Sequence, residues 1–65
     1  MDRDTARLHA QELANATGCT QYIVQWPRCQ PDEWKVYGAD VWRIVWKNRE
    51  PHVRQLPDHE EVKPQ

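Results

Sequence analysis

The stretch EWKVYGADVWRIVWKN, residues 33–48, decides how this chain folds, because it holds Trp34, Trp42 and Trp46 within a sequence of 65 residues. Each aromatic side chain buries about 150–250 Å², so the face that collects these rings is the face a small domain is built on. WKVY and VWRIVWK alternate β-branched or aromatic residues with polar ones, and GAD separates them. That pattern reads as two strands and a turn. A three-residue loop at Gly38–Asp40 pairs Tyr37 with Val41, Val36 with Trp42 and Trp34 with Ile44.

Working upstream, TQYIVQW at residues 20–26 is a third strand pattern, with Tyr22, Val24 and Trp26 on one face. If residues 27–33 form the connecting loop, these side chains continue the face made by Trp34, Val36, Trp42, Ile44 and Trp46. A one-residue slip would turn such a set to the opposite side of the sheet.

The N-terminal segment is helical. Asp2, Asp4 or Thr5 can cap its start. Ala6, Ala10, Leu13, Ala14 and Thr17 recur on one helical face, and Gly18 stands where a left-handed C-terminal cap belongs. A face this rich in small residues suits close approach to a sheet. Leu8 lies off the stripe.

Downstream, HVRQL is expected as a short edge strand between prolines, with Val53 near Trp46. PDHEEVKPQ is polar and proline-bounded and reads as tail. The expected architecture is α+β: an N-terminal α-helix packed on one face of a three- to four-stranded antiparallel meander sheet, the other sheet face open. Residues 1–57 form the single domain and 58–65 a disordered polar tail.

Composition limits the function classes. The formal net charge is −1, so no global field steers the chain toward DNA or an anionic membrane. MDRDTARLHAQELANATG has the pattern of neither a signal nor a transit peptide, and no run approaches the ~20 apolar residues of a spanning helix. A cytoplasmic location and no membrane partner are expected. Cys19 and Cys29 then read as a reduced pair. They and His9, His52 and His59 lack the close Cys–Cys or His–His spacing of zinc sites, so no metal is expected. Arg28 beside Cys29 could lower a thiol pKa, but 65 residues leave little room for a pocket that orients a base. No phosphate-binding glycine loop occurs, and neither catalytic residues nor a cofactor are expected.

The open face carries the functional expectation. Ile23, Lys35, Tyr37, Arg43, Val45 and Lys47 fall on it, half apolar and half basic, with Val41 beside them and Arg28, Arg49 and Arg54 at the rims. An exposed apolar stripe rimmed by charge is the usual sign of a protein interface. The leading expectation is a non-enzymatic protein-binding module whose partner is a host complex or a second copy, as a homodimer. In size and make-up it is similar in kind to the small inhibitors by which bacteriophages and mobile elements occlude a host machine. The rival expectation is nucleic-acid binding, since basic residues interleaved with aromatics bind single strands by charge and stacking. Asp32, Glu33, Asp40 and Glu50 around the face weigh against it.

Overall fold

The computed structural model describes residues 1–27, 33–54 and 56–65. Its elements are α1 (Arg3–Thr17), β1 (Gln21–Gln25), β2 (Lys35–Gly38), α2 (Ala39–Arg49), a 3₁₀ turn (Glu50–His52) and β3 (Asp58–Val62). The sheet is antiparallel and open, in the order β2-β1-β3. The α+β class, the N-terminal helix and the three-stranded antiparallel sheet agree with the sequence. Which residues supply the third strand does not.

α1 begins where Asp2 accepts a hydrogen bond from the Thr5 backbone N–H at 2.7 Å. This bond holds the Asp2 carboxyl below its usual range. A carboxyl lowered by folding contributes stability that is present above the ordinary aspartate pKa and lost as the pH falls through the folded value. Asp2→Asn keeps an acceptor at the cap but cannot titrate. The helical circular dichroism of the variant is therefore expected to fall less than that of the wild type when the pH drops below about 4. At the other end Gly18 takes φ 71°, and its N–H donates to the Ala14 carbonyl.

Ala6, Ala10 and Ala14 are fully buried. Ala6 and Ala10 close the core against Ile23 and Val62, with Trp34 and Val36 packed alongside. Alanine is needed here because the helix lies close to the sheet. Ala10→Leu adds methylenes where there is no space, and a loss of about 1–3 kcal/mol is expected by urea unfolding.

The register corrects the assignment of faces. Ile23 pairs with Val36 and Tyr22 with Tyr37, one residue away from the pairing that would place Trp26 beside Trp34. Cross-strand partners share a face and neighbours along a strand alternate. Ile23, Val36 and Trp34 therefore lie under α1, whereas Tyr22, Val24, Trp26 and Tyr37 lie on the opposite side. Ile23 is 0% exposed, so it is core and not part of an open face.

The second correction is larger. Residues 39–49 are helix, not strand, so neither the loop at Gly38–Asp40 nor the pairings of Tyr37 with Val41, Val36 with Trp42 and Trp34 with Ile44 exist. Short apolar runs fit both periods. In this one Trp42 and Trp46 share a face at either period, and only a helix adds Arg49, at i+7, to that face. Asp40 in the first turn and Lys47 and Arg49 in the last complement the helix dipole.

The third strand comes instead from the expected tail. Asp58–Val62 pairs along the whole of β1, from Gln21 with Val62 to Gln25 with Asp58. Val62 is 4% exposed. Glu60, opposite Ile23 on the α1 side, accepts Arg3 at 2.7 Å and lies 3.5 Å from Arg7. Gln11 donates to the Lys63 carbonyl and the Gln65 backbone N–H donates to Asn15, which ties the last residues to α1. Residues 58–62 are thus strand and not tail, and Lys63 and Gln65 are bonded to α1. HVRQL forms no strand among its described residues; His52 belongs to the 3₁₀ turn. Arg28, Cys29 and Asp32 lie outside the described residues.

Candidate interaction surface

Two layers meet on the side of the sheet away from α1. The inner one is a cluster of rings. Trp42 of α2 stands with its ring centroid 6.2 Å from Tyr22, 5.7 Å from Trp26, 5.9 Å from Tyr37 and 5.8 Å from His59. Trp46, one turn on, stacks at 5.9 Å on Trp42 and at 6.5 Å on Trp26. Helical spacing sets both indoles on one side of α2, and strand alternation sets Tyr22, Trp26 and Tyr37 toward them.

Polar edges of the cluster are matched to each other. Trp26 Nε1–H donates to Tyr37 Oη at 3.2 Å. Tyr22 Oη–H donates to the Glu61 carboxylate at 3.0 Å, which raises the Tyr22 pKa above its usual value. The Arg49 guanidinium sits 4.5 Å from the Trp26 ring centroid, a cation–π distance. Glu61 and His59 sit on this side because β3 pairs them with Tyr22 and Val24. The rings are thereby engaged with one another and with Arg49.

The outer layer is the far side of α2. None of its residues is buried. Val41 is 51% exposed and Ile44 61% exposed, three residues apart and hence neighbours on the helix surface. Asp40, Arg43, Lys47 and Asn48 are exposed around them. Ile44 was expected among the rings beneath the N-terminal helix. A strand would have put it there, but the helical turn sends it outward.

The structure scatters the residues expected to form one open face. Ile23 is sealed beneath α1. Tyr37 is half-buried against Trp42. Lys35 is exposed on the edge strand β2, on the α2 side of the sheet through its pairing with Val24. Arg43 and Lys47 are exposed one helical turn apart, and Val45 is half-buried on the same helix. Val41 is exposed, as its place on the expected open face required; what sequence reading missed is Ile44 beside it. The available signal was the acid-to-base gradient from Asp40 to Lys47 and Arg49, which marks a helix.

Cys19 is exposed. Among the described residues no group of three or more His, Cys, Asp or Glu side chains could hold a metal ion, and no helix is long and apolar enough to cross a membrane. Compared with known protein families, curated proteins and solved structures, the chain matches none.

Proposed function

We propose that this chain is a non-enzymatic protein-binding module whose contact surface is the outward side of α2. The observation that carries the reading is the exposure of Ile44, 61%, and Val41, 51%, side by side on one helix, with Arg43 and Lys47 next to them. An apolar pair bordered by charge fits a protein surface of complementary make-up. It acts by occupying a partner's surface, which at this size needs no pocket and no moving part. The aromatic residues favour a protein over a nucleic acid as partner. A base-stacking site requires free ring faces, and Trp26, Tyr37, Trp42 and Trp46 already pack on one another.

The test is affinity capture with the wild type and with Ile44→Glu, each with and without nuclease, from lysate of cells that express the chain. Substitution at an exposed site costs within about 0.5 kcal/mol, so the far-UV spectrum of Ile44→Glu should match the wild type. A protein held stoichiometrically by the wild type, retained after nuclease and lost with Ile44→Glu supports the reading. Capture that disappears on nuclease treatment overturns it in favour of nucleic-acid binding.

A further inference from the structure

On the outward side of α2, Asp40 and Lys47 are complementary in charge to each other, while Arg43, exposed farther round the same flank, is the third charge there and would lie at the outer edge of a self-paired face. At 3.6 residues per turn, Ile44 lies at the pole farthest from Trp42 and Trp46. Asp40 and Lys47 lie together on one flank of that pole and Val41 and Asn48 on the other. All five are exposed. Asp40 and Lys47 are about 10 Å apart along the axis at 1.5 Å per residue, and Ile44 is within one residue of their midpoint.

Now place a second α2 antiparallel against the first, about a two-fold axis through that midpoint. Asp40 of one protomer meets the partner's Lys47, and Lys47 meets the partner's Asp40. Both pairs form at once because an isologous interface repeats each contact. The two Ile44 side chains meet next to the axis. Each Val41 falls beside the partner's Ile44, offset by about 3 Å of helix rise. The apolar pair that each monomer leaves in water is thus covered by the same pair from its twin, with an ion pair at either end. A parallel arrangement would set Asp40 against Asp40 and Lys47 against Lys47, so the charges also choose the direction.

We infer that the occupant of this face is a second copy of the chain, joined as an antiparallel α2–α2 homodimer through Ile44, Val41 and the reciprocal Asp40–Lys47 pairs. The inference rests on the protein-binding reading and names its partner. The face is one short helix wide, which places the dimer among weak, concentration-dependent associations.

Charge exchange tests it. Sedimentation velocity over a concentration series is run on the wild type, Asp40→Lys, Lys47→Glu and the double variant carrying both. Each single reversal converts two attractions into two repulsions, and dimerisation is expected to weaken about tenfold. The double reversal restores both pairs with the signs exchanged and is expected to recover dimerisation to near the wild-type constant. Circular dichroism on each variant separates loss of pairing from loss of fold. Recovery in the double variant supports self-pairing, since a foreign partner would have no matching reversal. A wild type that stays monomeric throughout overturns the inference, as does a dimer indifferent to all the substitutions. Capture of a different protein through Ile44 in the same circumstances leaves the protein-binding reading in place.

Discussion

A chain ending at Pro57 is expected not to fold. β1 is the central strand, and β3 supplies one of its two neighbours along its full length. Without residues 58–65, the β1 groups facing β3 would lose their partners. Val62 would leave the α1 core, at a cost of about 1.5–3 kcal/mol for its burial alone. The Arg3–Glu60 pair, the Tyr22–Glu61 hydrogen bond and the His59–Trp42 contact would go with it. A domain of this length has roughly 3–10 kcal/mol in total, at 0.05–0.15 kcal/mol per residue, so the combined loss is comparable with all of it. The check is an amide NMR spectrum of the shortened chain beside that of the full one. Collapsed dispersion is the expected result. A dispersed spectrum from residues 1–57 would mean that β3 is an accessory to a domain complete without it.

The second large effect is expected at Trp42. This ring touches Tyr22, Trp26, Tyr37, Trp46 and His59, so it joins α2 to all three strands or their extensions. Trp→Ala in a core costs about 3–5 kcal/mol. Trp42 is half-buried, which puts the expected loss near the lower end, at about 3 kcal/mol, in urea unfolding. Trp46 meets only Trp26 and Trp42 among these rings, so Trp46→Ala should cost distinctly less. Equal losses at the two positions would show that α2 is held by its length and not by the Trp42 junction. The near-UV signal of the ring cluster should weaken in both variants.

Both results bear on how far the sequence could be read. The start and end of α1 were legible because capping is local chemistry: Asp2 reaches an amide three residues away, and Gly18 adopts a backbone angle that other residues avoid. The alanine stripe was legible for the same reason, since helical period alone places Ala6, Ala10 and Ala14 together. β1 and β2 declared themselves through β-branched and aromatic residues.

The candidate site was legible only in part. Arg43 and Lys47 are exposed. Ile23 and Ile44 exchange places relative to the expectation, one into the core and the other into solvent. The cause lies in two choices that no local window contains. One is the β1–β2 register, which decides whether Trp34 faces Trp26 or the opposite side. The other is the period of ADVWRIVWKNR, whose apolar residues satisfy strand and helix alike.

By itself, then, the sequence determined the composition of the layers: a capped helix with an alanine face, strands rich in aromatics, and a charge balance that favours no polyanion. Tertiary structure alone decided which segment became the third strand and where the tryptophans went. The edge of β1 selected DHEEV, a polar stretch with a single buried side chain, because strand pairing is paid in backbone hydrogen bonds that any sequence carries. Residues 39–49, which a meander would have set along β2, instead form a helix that covers the second face of the sheet. As a helix they place Trp42 and Trp46 against Tyr22, Trp26 and Tyr37 while turning Val41 and Ile44 outward. That outward face exists only because residues 39–49 are a helix and not a strand.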